Sequence, residues 1–99
     1  MAQFDVHRLA GDDSLVIDCQ SDLLNHLDGR LVVPLMRRRE SPSPMRRLNP
    51  IFQIEGTEYV MRTQAAAAIR RDRLGPVVCS LAERNIEIVG ALDVLITGV

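Results

Sequence analysis

Lysine and tryptophan are absent from this 99-residue chain, and Phe4, Phe52 and Tyr59 are its only aromatic residues. A single-strand nucleic-acid binder that stacks bases on rings would need more of them. The 12 basic residues, all arginine, face 13 acids, for a formal net charge of −1. That balance excludes nucleic-acid binding driven by bulk electrostatics, so no direct specific DNA binding is expected. Two cysteines, Cys19 and Cys79, are too few for a disulfide scaffold. A four-ligand zinc site would need both of them to converge with His7 and His26, so no metal is expected. No run approaches the roughly 18 apolar residues of a membrane span, and the first residues lack the apolar stretch of a signal peptide. The expectation is a cytoplasmic protein with reduced thiols, no membrane association, and a single domain over residues 1–99. A domain of this size buries roughly 65% of the surface its unfolded chain exposes. That suffices for one core, and a dimer interface would help it.

What is present alternates. Residues 3–8 place Phe4 and Val6 on one face, the pattern of a half-buried strand. Gly11 to Ser14 is a turn cluster, and Leu15, Ile17 and Cys19 share a face of a second strand over 15–20. Asp28-Gly29 signals a turn before a continuous apolar strand over 30–36. Pro34 has no donor for a ladder, which predicts an edge or a bulge there. Residues 37–47 are the least regular stretch, because two Ser-Pro steps disfavour helix. Five arginines and one glutamate give that stretch a local charge of +4. Residues 51–54 and 58–61 read as a hairpin closed by a three-residue loop, Glu55-Gly56-Thr57. Residues 64–73, rich in alanine and arginine, have helical propensity up to the Gly75-Pro76 break.

A final segment starts near Val77. From Glu83 onward its pattern is helical, with Ile86, Ile88, Val89, Ala91, Leu92, Leu95 and Ile96 covering a wide apolar arc. A helix this apolar is buried on more than one side, against its own sheet and against a second copy of the chain. Five or so strands followed by a terminal helix make an antiparallel, mostly β domain.

The groups capable of chemistry do not assemble into a motif. There is no Gly-rich phosphate loop and no nucleophile elbow, so no catalytic residue is assigned. His7 and His26 read as surface polar residues. Cys19 and Cys79 lie in apolar surroundings, where a thiol stays protonated. Asp18, Asp22 and Asp28 gather around one turn without the spacing of a calcium loop, and turn formation explains them. The arginine-rich loop could attract an acidic peptide or a phosphate backbone through bidentate contacts, or simply be solvated. Residues 96–99 could pack as core or form an exposed tip that enters a partner.

One combination is more specific. Gln3-Phe4 with Val6, Asp18 with Gln20-Ser21-Asp22-Leu23-Leu24, and the run from Gly29 to Leu35 come first. Tyr59, Met61, Thr63, Leu81, Ala91, Leu95 and Gly98-Val99 continue it. Together these residues resemble the CcdB family, the toxin half of a bacterial toxin–antitoxin pair. The resemblance implies a mostly β fold: an SH3-like antiparallel β-barrel with a small inserted sheet and a C-terminal α-helix. It implies that residues 64–73 run extended, against their propensity. It also implies a homodimer through the terminal helices, with Ala91, Leu92 and Leu95 at the interface.

By the same resemblance the protein is no enzyme and takes no cofactor. It binds the A subunit of DNA gyrase, traps the cleaved-DNA complex, and is neutralised by the disordered tail of an antitoxin. The positions matching the family's gyrase contacts are Leu23, Leu24, Asp93, Ile96, Thr97, Gly98 and Val99. The best-known plasmid form carries Trp in place of Thr97 and Asn in place of Asp93, so a large hot-spot side chain is missing here. Arg37, Arg38, Arg39, Arg46 and Arg47 are expected to dock an acidic antitoxin segment. The alternatives are an endoribonuclease toxin on the same barrel, with Arg30 and the loop arginines clamping phosphate, or a homologue that binds antitoxin without poisoning.

Overall fold

The computed structural model describes residues 2–98. Among them are seven strands: β1 Asp5–Leu9, β2 Leu15–Asp18, β3 Gly29–Arg37, β4 Ile51–Ile54, β5 Thr57–Met61, β6 Ala67–Arg70 and β7 Leu74–Ser80. One long helix, α1 Asn85–Thr97, follows them. All pairings are antiparallel, in the order β4-β5-β3-β2-β1-β7, with β6 also on β3. The sheet curls into a half-barrel, so the expected mostly β architecture with a C-terminal helix is the one observed. Val6, Ile17, Val33, Phe52 and Met61 point into its concave core, which Ile88 of α1 closes. Packing of one helical face against the core gives this 13-residue helix most of its stability. No helix among the described residues is long and apolar enough to cross a membrane.

β3 organises the sheet. β2 pairs along one side of it, while β6 and β5 share the other, at Gly29–Val32 and Leu35–Arg37. Pro34 therefore lies in a central strand, not at an edge or a bulge. Its ring nitrogen faces the gap where the strand changes partner, and on that side its carbonyl accepts from Arg62 N at 2.9 Å. No ladder donor is lost at such a gap, which is why proline is tolerated there.

Within residues 64–73 there is no α-helix, and only the middle, Ala67–Arg70, is extended strand. β6 lies between two 3-10 turns, at Thr63–Ala65 and Arg71–Arg73. The first half of β3 would otherwise leave backbone groups unpaired on this side, and that demand overrides alanine's helical preference. β7 is a strand the sequence does not announce, because Gly75-Pro76 reads as a break. It is an edge strand with register shifts on both sides of His7, and such irregular edges accommodate proline. Gly75 is required by space: a Cβ there would sit 2.6 Å from the Arg8 carbonyl oxygen.

Two further boundaries differ from expectation. Ile54 pairs directly with Thr57, so the hairpin loop has two residues rather than three. Glu55 and Gly56 both have positive φ, +52° and +78°, the conformation whose twist matches that of the flanking strands. β1 begins only at Asp5, because Phe4 has φ +72° and turns the chain before the strand.

Candidate functional site

Leu23 and Leu24 sit on a 3-10 turn, Asp22–Leu24, between β2 and β3. Neither is covered by the rest of the chain: Leu23 is 88% exposed and Leu24 44%. Water-facing leucines on a loose loop would be unremarkable, but this turn is fastened on every side. The Ser21 hydroxyl accepts from Leu23 N at 3.2 Å. Asp22 accepts from Gln3 N at 2.8 Å, joining the turn to the N-terminal segment. The Gln20 side-chain amide donates to the carbonyls of Leu24 (3.1 Å) and Gly29 (3.0 Å), and its oxygen accepts from Leu31 N at 3.1 Å. Arg30 donates to the Asn25 side chain at 2.7 Å, and Arg71 donates to the Asn25 carbonyl at 3.0 Å.

Arg30 anchors this arrangement. It is fully buried and pairs with the equally buried Asp18 through Nε (3.1 Å) and Nη2 (2.5 Å). Burying two charges is tolerated only with this degree of hydrogen bonding. The expectation that Arg30 could clamp phosphate is therefore corrected: no solvent-borne phosphate reaches a side chain without exposure. Asp18 is likewise committed to Arg30 and to Gln20 N, at 3.1 Å. No three potential metal-binding side chains converge among the described residues.

α1 separates its apolar residues onto two sides. Ile88 and Ala91 are buried in the chain's own core, and Leu92 packs against it. Ala91, expected at a dimer interface, is fully buried within its own chain. Leu95 and Val89 are nearly half exposed, Ile86 is 83% exposed and Ile96 78%. Asp93 and Thr97 are exposed on the same helix, and the Thr97 hydroxyl donates to the Asp93 carbonyl at 2.7 Å. Gly98 ends the helix with φ +78°, its N–H bonding the Val94 carbonyl at 2.9 Å. A side chain there would be strained, so glycine serves the helix cap whatever else it meets. Val99, placed in the expected gyrase contact, lies outside the described residues.

The five loop arginines do not form one patch. Arg37, Arg38 and Arg39 line an open cleft of about 640 Å³ with Gly56, Thr57 and Glu58. Arg37 pairs with Glu40 at 3.4 Å and Arg38 with Glu58 at 3.3 Å, all four side chains being about half exposed. Arg46 and Arg47 line a second groove, of about 490 Å³, with Pro50, Ile86, Glu87 and Gly90 of the helix side. Arg39, Arg46 and Arg47 make no ion pair among the described residues. The mixed character of the second groove, two guanidiniums beside a bare isoleucine, was not legible in sequence.

The two histidines and two cysteines lie in different environments. His7 is 2% exposed, not a surface residue as expected; its Nδ1 lies 3.0 Å from the Gly75 carbonyl and its Nε2 has no partner. His26 is exposed. Burial, with Asp18 adding to it, pushes the Cys19 thiol up to about 12. Cys79 is also raised, first by burial and then by Glu55 and Asp5. Both thiols stay protonated at neutral pH and are poor nucleophiles. The geometry thus offers bare apolar side chains and cationic grooves to a macromolecule.

The family model described as CcdB protein matches residues 3–98, nearly the whole chain. A solved structure titled "Endoribonuclease in complex with its cognate antitoxin from Mycobacterial species" is similar in fold, with a TM-score of 0.77. The two share 15% sequence identity over 97% of this chain and 94% of that one.

Proposed function

This chain belongs to the CcdB family, and on that premise we propose that it is a toxin that docks on the A subunit of DNA gyrase and traps the cleaved-DNA complex. It works by binding and not by catalysis. The observation that carries the reading is the display of uncovered apolar side chains, Leu23 on its fastened turn and Ile96 at the end of α1. An apolar helix end can enter a protein groove that opens only while the DNA gate is parted, and binding there selects that state. Leu24, Asp93, Thr97, Gly98 and Val99 complete the contact. With Thr97 in place of a large aromatic, trapping is weaker than in a form carrying Trp, by about 2 kcal/mol if that position is a hot spot.

An antitoxin neutralises the protein through an acidic, disordered segment laid along the two arginine grooves. The structural neighbour's title, which names a cognate antitoxin, supports that partner class. The protein is a cytoplasmic homodimer, joined through the helix residues the rest of the chain leaves accessible, Leu95 among them. Covering a half-exposed apolar side chain of this kind contributes about 1 kcal/mol.

The neighbour's title also favours a second reading, an endoribonuclease on the same fold. Against it stands the burial of Arg30, which removes one candidate phosphate clamp. The deciding experiment incubates the purified protein with gyrase, supercoiled DNA and ATP, beside a parallel reaction containing RNA. Covalent gyrase–DNA complexes should accumulate while the RNA stays whole, and deletion of residues 96–99 should abolish trapping. No trapped complex at high concentration, with RNA degraded in the parallel reaction, would replace this reading by the ribonuclease one.

A further inference from the structure

We infer that Gln20 is a positioning residue that presets the Leu23–Leu24 turn as a rigid apolar anchor. The inference rests on the reading that these leucines meet a protein partner. The segment between β2 and β3 is ten residues long and has no buried apolar side chain between Gln20 and Gly29 to hold it down. Such a segment would ordinarily be mobile. Here one carboxamide replaces the missing core. Its two N–H groups hold the Leu24 and Gly29 carbonyls, while its oxygen holds Leu31 N, so one side chain ties the turn, the start of β3 and the next residues of that strand together.

Only an amide can do this. It offers two donors and one acceptor from a single planar group, whereas a carboxylate offers no donor and a hydroxyl only one. The Gln20 backbone is itself fixed, because its N–H bonds the buried Asp18 carboxylate that holds Arg30. Arg30 reaches on to Asn25, directly after the turn. Rigidity thus passes from the buried ion pair outward to a leucine that the fold leaves 88% exposed.

The consequence concerns binding. An apolar contact works only at van der Waals distance, so a mobile turn would have to be ordered as it docks. Fixing one residue's backbone costs on the order of 1–2 kcal/mol, and 1.4 kcal/mol is tenfold in affinity. With Gln20 in place that cost is already met in the free protein.

The test uses full-length Gln20→Ala and Leu23→Asp proteins, first checked for native melting. In the free Gln20→Ala protein, the NMR backbone order parameters of residues 22–27 should fall from rigid to flexible values while those of β1 and β2 hold. A merely structural role would lower the melting temperature without this local signature. With gyrase holoenzyme and DNA, half-maximal trapping by Gln20→Ala should need about tenfold more protein, and Leu23→Asp should trap nothing. Unchanged order parameters in Gln20→Ala overturn the positioning role whatever gyrase does, and so does trapping that matches the wild type. Trapping by Leu23→Asp at wild-type strength removes Leu23 from the contact and overturns both readings. Should Gln20→Ala fail to fold, Asn25→Ala, which frees the turn from Arg30 alone, carries the same two measurements.

Discussion

Two loops leave the central strand β3, one before it and one after, and they are held in opposite ways. The loop before it, residues 19–28, is fastened at its middle and at both ends by Gln20, Asp22, Asn25 and the buried Arg30. The loop after it, residues 38–50, is fastened at its far end. There the buried Asn49 donates to the Met61 carbonyl at 2.9 Å and to Gln64 at 2.7 Å, and accepts from Met45 N at 3.0 Å. Arg37 and Arg38 pair with the exposed Glu40 and Glu58. The first loop displays leucines and the second displays guanidiniums. A leucine contributes only at van der Waals distance, so its placement must be fixed in advance. A guanidinium acts across roughly a Debye length, about 8 Å at physiological salt, so its placement can stay loose. The way each loop is held matches the range of the force it presents.

The largest test breaks the anchor of the first loop. Arg30→Met leaves the Asp18 carboxylate buried without its partner, which should cost about 3–5 kcal/mol of folding stability in chemical denaturation. Adding Asp18→Leu should return a good part of that loss, because two apolar residues leave no charge stranded. If the single variant is as stable as the wild type, the first loop is held by something other than this pair.

Asn49→Ala removes the side-chain fastening at the far end of the second loop and should cost less. It strands the Met61 carbonyl, a buried acceptor, at about 1–3 kcal/mol. Amide exchange in residues 45–49 should rise, while exchange in residues 19–28 should not change. A rise in both loops would show that they are coupled through β3 and would dissolve the contrast.

The smallest effect on stability comes from the arginines themselves. Replacing Arg37, Arg38 and Arg39 together by Gln should change the melting temperature little, since exposed pairs contribute about 0–1 kcal/mol. The readout is kinetic. The association rate of an acidic antitoxin segment should fall, and its decline with added salt should flatten, because charge complementarity acts mainly on encounter. An unchanged rate and salt slope would leave this cleft as solvated surface.

Much of this was legible in the residues alone. The alternation of Val6, Ile17 and Val33, all buried in one core, marks the strands directly. The apolar arc of α1 was legible as well, but its division, with Ile88 inward and Ile96 outward, was not. The strand β7 was not legible, because Gly75-Pro76 carries a break signal that an irregular edge strand can absorb. His7 was misplaced because alternation puts it opposite Val6, on a face taken to be wet, where its Nδ1 meets the Gly75 carbonyl of β7. Arg30 was misplaced for a related reason: a lone arginine at a strand's start looks solvated until the carboxylate that receives it is known to lie beside it. Nothing in the sequence marks Gln20 as a staple, since its three partners are backbone groups that every residue has.

The sequence by itself determined the class of fold, the position of most strands and the terminal helix. Periodicity and turn chemistry are local, and they survive being read one residue at a time. Only the tertiary structure decided which polar groups were removed from water. Asp18 meets Arg30 across 12 positions and His7 meets Gly75 across 68. Burial of a polar group depends on a partner brought from elsewhere in the chain, and folding alone supplies that partner.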